Sequence, residues 1–282
     1  MSAPSQAVLP GDQTLSPIPP TTGRPGTKRH VRRGLAAVGR TAIPLLAAAA
    51  LWEFVVRTGL IGSTFFPPPT TVLKTLWELI QEGEIAGELA ISLQRVALAF
   101  VIGTIPAVVL GVIMGYYPRF YRLVDPLVAV TYPVPKLAIL PLLLVIFGLG
   151  SAPIIAMAAI LCFYPTLVST IAGVRGVDRD LVDVVQTFGG SKVQVLWKVI
   201  LPGAMPVIFA GFRLGAGIAL EGEIAAEFVS ASDGIGAKTW SYWQVYQIDR
   251  MYANLVVIAI VGLAITYLVK WVENGAVKGR RA

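Results

Sequence analysis

Metal-binding and redox side chains are almost missing from this chain. It has one cysteine, Cys162, inside an apolar run, and one histidine, His30, in a polar N-terminal stretch. A single cysteine gives no disulfide framework, and isolated Cys and His give neither a metal site nor a nucleophile constellation. Charge is scarce as well: Asp, Glu, Lys and Arg make up 14% of the 282 residues, against 55% hydrophobic. Together with a mean hydropathy of +0.72, this excludes an ordinary soluble domain. Acidic residues are outnumbered, 16 against 23 Lys and Arg, for a formal net charge of +7. The basic residues gather beside apolar runs rather than along one soluble face, which fits membrane topology and speaks against a nucleic-acid partner. A phosphate-binding loop is also missing. In "FGGSK" Ser191 precedes Lys192, whereas that loop needs Gly, four residues, then Gly-Lys-Ser/Thr. No cofactor or metal is expected on this chain.

What the sequence has is long apolar runs. Residues 1–40, rich in Pro, Ser, Thr and Gly and then basic, read as a disordered basic tail. A transmembrane domain follows over 41–275, and 276–282 form a basic C-terminus. The expected fold is all-α, with about six transmembrane helices near 41–58, 92–115, 124–148, 152–173, 203–228 and 252–272. After the first span, "FFPPPTTV" breaks the helix. Thr70 or Thr71 is expected to cap an interfacial helix whose apolar stripe is Val72, Leu73, Leu76, Trp77 and Ile80. Gly111 with Gly115, and Gly211 with Gly215, have the spacing that lets membrane helices approach closely. Pro126, Pro133, Pro135 and Pro141 do not fit one straight third span, so a broken backbone covered by protein or water is expected there. Lys and Arg gather in the N-terminal tail, the 116–123 turn, the 174–202 stretch and the C-terminus, which places both termini on the cytoplasmic side.

The polar interruption at 177–202 reads as two short amphipathic helices. Asp178 caps the first, whose apolar face is Leu181, Val184, Val185 and Phe188, and Gly189-Gly190 ends it. Ser191 caps the second, with Val193, Leu196, Trp197 and Ile200 on its apolar face. A stripe this short and weakly basic suits a protein groove better than a lipid surface.

Charges inside spans are functional candidates by default. Glu223 and Glu227 share one helical face, with Glu221 nearby, while Arg95, Lys136 and Arg213 are the cations. Arg95 and Glu227, near span ends, read as cross-helix partners or as groups reaching the interface. Lys136, Arg213 and Glu223 are assigned to a translocation path, the two cations favouring an anionic substrate group. A proton-coupled secondary transporter relaying protons through Glu221, Glu223 and Glu227 is the rival reading, although no internal repeat of the kind such folds show is visible.

Asp183-Val184-Val185, then Gly189, then Val199-Ile200-Leu201-Pro202 resemble the "EAA…G…I-x-LP" loop of ABC-importer permeases. Asp stands for Glu, and Val-Val for Ala-Ala. "SLQRVALAF", "YPVPKLAILPLLLVIFGLG" and "AAEFVSASDGIG" resemble the nitrate/sulfonate/taurine branch of that family, and the likeness runs over roughly residues 40–275. The resemblance implies a type I importer permease fold in the plasma (cytoplasmic) membrane of a prokaryote, and a transport subunit rather than an enzyme. It implies a separate ATPase dimer carrying ATP and magnesium, a second permease copy, most simply in a homodimer, and an extracytoplasmic solute-binding protein. The cargo implied is a small anion or zwitterion such as nitrate, a sulfonate or taurine. Leu181, Asp183, Val184, Val185, Phe188 and Gly189 would be the contacts that couple the permease to the ATPase.

Overall fold

The structure is a computed structural model that describes the backbone of residues 28–278 and the side chains of residues 43–276. Two compact units divide at Leu51, and the helical bundle described below belongs to residues 52–282. Helix α1 (Lys28–Arg57) reaches back into the segment expected as tail; residues 1–27 of that tail, and 279–282 of the basic C-terminus, lie outside the described residues.

Helix α2 (Pro69–Glu82) starts one residue before the expected threonine caps, with Pro68 at the N-cap and no side-chain cap of its own. Its first turn is capped from α1 instead. Glu53 accepts from the Thr70 N–H at 3.1 Å and from the Thr70 hydroxyl at 2.8 Å. At 14 residues α2 is about 21 Å long, too short to cross a core of about 30 Å. Its apolar residues split over two sides. Val72 and Leu79 are buried, whereas Leu73, Trp77 and Ile80 stay exposed, so the expected single stripe is corrected to one protein-facing and one outward row.

The centre of the bundle is α6 (Ser151–Arg175), held between α3 (Glu84–Tyr116) and α9 (Leu201–Ser230). The two glycine pairs make this possible. A Cβ at Gly111 would lie 2.7 Å from the Thr170 side chain, and one at Gly115 would lie 2.6 Å from that of Val174. On the opposite flank, Gly211 and Gly215 would place a Cβ 2.5 Å from Ser169 and 2.8 Å from Thr166. With no hydrophobic drive between helices in lipid, such backbone approach supplies the packing. Cys162 is fully buried on α6.

Among the described residues, four stretches are long and apolar enough to cross a membrane: Glu84–Tyr116, Ser151–Arg175, Lys192–Ser230 and Ile248–Ala276. The last lies in α11 (Ile248–Lys278). The proline-rich third span is two pieces, α4 (Pro118–Thr131) and a 3₁₀ turn (Lys136–Ile139) leading into α5 (Leu140–Phe147). They bend by 82° at the break, and counted as one span they bring the total to five. The expected first span, 41–58, lies partly outside the residues whose side chains are described.

The segments extend beyond the expected limits. Pro202 does not open a new span, because the helix is continuous from α8 (Lys192–Val195) through a π-turn at Leu196–Ile200 into α9. The wider turn lets the Leu201 N–H reach back to Leu196 just before a residue that has no N–H to give.

Candidate functional site

Two constellations carry chemistry, one at the loop after α6 and one where α3 and α9 meet. Helix α7 (Arg179–Thr187) begins where Asp178 accepts from the Asp180 N–H at 3.0 Å. It ends with the Gly189 N–H on the Gln186 carbonyl and the Gly190 N–H on the Val185 carbonyl, each at 2.9 Å. Gly189 has φ +78°, where a side chain is strained. Gly190 is needed for a different reason: a Cβ there would stand 2.6 Å from the Val185 carbonyl oxygen. The sequence marked both glycines only as a stop. The next helix opens with a reciprocal cap between Ser191 and Gln194.

The apolar face of α7 divides. Leu181, Val184 and Phe188 are exposed, Phe188 at 88%. Val185 instead packs with Val182 against the cluster of Val174, Val195 and Ile200. Val185 thus fixes α7 to its own chain. On the second loop helix Val195 and Ile200 are buried while Val193 and Trp197 are exposed, again splitting the expected face. Asp183 is exposed beside the outward stripe.

The second constellation is an ionic cluster centred on Arg95, which is 3% exposed. Its Nη1 donates to Glu227 Oε1 at 2.5 Å and to the Asp233 carbonyl at 2.9 Å; Nη2 pairs with Asp233 Oδ1 at 2.5 Å and Nε donates to Ser151 Oγ at 3.0 Å. Glu227, fully buried, also accepts from the Ser92 hydroxyl at 2.9 Å and from the Gly236 N–H at 2.8 Å. Burying a charge costs less when it is paired and fully hydrogen-bonded, as here. Arg95 thus ties α3 and α9 to the 231–234 link that precedes α10 (Ile235–Gln244), and the expected cross-helix pairing of Arg95 with Glu227 is present. Asp233, Ser92 and Ser151 carried no assignment from sequence. The usable signal was that a buried arginine needs acceptors, and "SASDG" supplies one.

The residues assigned to a path do not converge. Glu223 is fully buried beside Glu227 and Ser92. Glu221 is exposed on another side of α9, so the three glutamates form no continuous relay. Arg213, assigned to the path, is ion-paired with Glu273 of α11. Lys136 differs: its ammonium contacts the Tyr132 carbonyl and lies 5.0 Å and 4.5 Å from the ring centres of Tyr132 and Tyr164. Ring faces and a carbonyl hold the charge without neutralising it.

A helical bundle with several membrane-length apolar helices, close glycine packing, a broken proline-rich segment and a glycine-ended loop helix showing an apolar stripe has the make-up of a multi-pass membrane protein. Residues 107–278 match the model of the binding-protein-dependent transport system inner membrane component. The chain belongs to that family. Permease SsuC of Bacillus subtilis (strain 168), named for aliphatic sulfonate transport, is 34% identical over 233 residues, covering 83% of this chain and 84% of its own. The taurine transport system permease protein TauC of Escherichia coli (strain K12) is 34% identical over 222 residues, 77% and 81% of the two chains. In fold, the chain is similar to an inward-facing MetNI methionine ABC transporter structure at TM-score 0.55 and 20% identity, over 74% of this chain and 98% of that one. The protein is thus an all-α, multi-pass inner-membrane permease of an ABC importer, a transport subunit and not an enzyme. Membership implies ATPase and binding-protein partners, and the proton-coupled alternative is not favoured.

Proposed function

We propose that this chain forms the path of an ATP-driven importer for a small sulfonate-type anion or zwitterion. It pairs with a second copy of itself and seats α7 in a groove of an ATPase that holds ATP and magnesium. The observation that carries the reading is the outward stripe of Leu181, Val184 and Phe188 on a helix fixed to its own chain through Val185. Large apolar groups presented this way call for a protein partner. The names of the relatives in Bacillus subtilis and Escherichia coli support the substrate class. Within the path, Lys136 at the 82° break is the cation left to meet an anionic group, since Arg213 is matched by Glu273. The test is uptake by proteoliposomes holding the permease and ATPase, with the binding protein outside. Taurine or an alkanesulfonate should accumulate only with ATP inside. Accumulation driven by a proton gradient alone would refute the importer reading, and ATP-dependent uptake of other solutes but no sulfonate would refute the substrate class.

The Lys and Arg distribution supports cytoplasmic termini and a cytoplasmic α7. A cysteine introduced by Gln186→Cys is expected to react with an impermeant maleimide only after the cytoplasmic face is opened, while buried Cys162 stays unlabelled in intact cells. Labelling of the introduced cysteine from outside would reverse the topology.

A further inference from the structure

At the shared end of α3 and α6, closed on one side by Arg179, Val182 and Asp183 of α7, lies a cavity of about 510 Å³. Its floor includes Met114, Val174 and Ile200, all buried and apolar. Its wall carries Arg122, Arg175 and Arg179, with Asp183 as its single acidic residue. Arg175 sits in the last turn of α6 and stacks on the Tyr121 ring at 4.4 Å, where it balances the negative end of that helix. Arg122 and Arg179 have no such use: among the described residues neither makes an ion pair or a side-chain hydrogen bond. The first turn of α4 opens on the same space through Pro118, and that turn has neither a side-chain cap nor an acidic residue. Arginines and an uncapped helix start converge on a single void, an arrangement that attracts anions.

We propose that this cavity binds the phosphate headgroup of an anionic phospholipid. A free inorganic anion would need only the basic wall. The lipid also explains the apolar floor and the position at the ends of two membrane-crossing helices, the depth at which headgroups meet acyl chains. Basic pockets between transmembrane helices recognise anionic headgroups by this combination. Arg122 and Arg179 donate to the phosphate oxygens, and the glycerol and first methylenes rest on Met114 and Ile200.

The test uses the full chain purified in a neutral detergent. Its melting temperature is followed against added dioleoylphosphatidylglycerol, dioleoylphosphatidylcholine or inorganic phosphate. Binding to the folded state raises the melting temperature in proportion to occupancy. Phosphatidylglycerol is expected to give a saturable rise that phosphatidylcholine does not. In the Arg122→Gln/Arg179→Gln double variant, half-saturation should need roughly tenfold more phosphatidylglycerol. The conservative Arg122→Lys/Arg179→Lys variant should recover part of that loss. Arg119 is a neighbouring cation on α4 that does not line the cavity, so Arg119→Gln should leave the rise unchanged. Three outcomes overturn the proposal: equal stabilisation by phosphatidylcholine, a wild-type response in the double variant, or a loss in Arg119→Gln as large as in the double variant, which would mean diffuse charge attraction. Saturation by inorganic phosphate alone would also overturn it, replacing the lipid with a soluble anion.

Discussion

Replacing Arg95 with alanine should destabilise the bundle by about 3–5 kcal/mol, because it leaves a buried charge without its partner. The charge in question is Glu227, fully buried, with only Ser92 and the Gly236 N–H left to hold it. Asp233 would be released at the same time. Being half exposed, it can return to water at little cost, so the penalty rests on Glu227. An Arg95→Met/Glu227→Gln double variant should therefore recover most of the loss: the glutamine keeps an oxygen for Gly236 and Ser92, and position 227 no longer carries a buried charge. Reversible unfolding in mixed micelles with increasing dodecyl sulfate would measure both. A single variant as stable as wild type, or a double variant worse than the single, would show that the cluster does not hold α3, α9 and the 231–234 link together.

The second large effect belongs to the loop. Phe188 is almost fully exposed, so Phe188→Ala should leave the isolated permease as stable as before. In the assembled transporter it should remove about 1.5–3 kcal/mol of apolar burial at the ATPase contact. Gly189→Val acts through the backbone instead, since φ +78° is strained for a β-branched residue. Turning the end of α7 should misplace Leu181 and Val184 together. Co-purification of ATPase, ATP hydrolysis and solute uptake, measured on one preparation in lipid, separate the effects. Both variants should insert normally, with weakened ATPase retention or uptake. Full retention and full uptake in both would remove α7 from the coupling path and leave it a surface helix.

Local features were legible in the sequence. Asp178 and Ser191 announced two helix starts, Gly189-Gly190 a stop, and the prolines between 126 and 141 a break, because caps, turns and missing N–H groups act within a few residues. The glycine pairs told which helix faces are narrow, though not that both pairs meet α6. What stayed hidden is what depends on distant partners. Arg95 and Asp233 are 138 positions apart, Ser92 and Glu227 135 apart, and Glu53 caps a helix 17 residues on. Helical periodicity says which side of a helix is apolar and says nothing about which neighbour covers it. For the same reason the stripe on α7 read as one face, whereas Val185 turns inward and Leu181 outward.

The break between α4 and α5 also bears on how the chain enters the membrane. Helix α5 has eight residues, a rise of about 12 Å, and α4 has 14, about 21 Å; neither spans a hydrocarbon core of about 30 Å alone. The bend leaves backbone groups that lipid cannot satisfy. In the finished bundle, Leu140 and Leu143 pack on Ile154 and Met157 of α6, and Tyr132 meets Tyr164 at 5.9 Å. The cover for the broken segment therefore comes from α6, which follows it in the chain, so α4 and α5 reach their packed state only together with Ser151–Arg175.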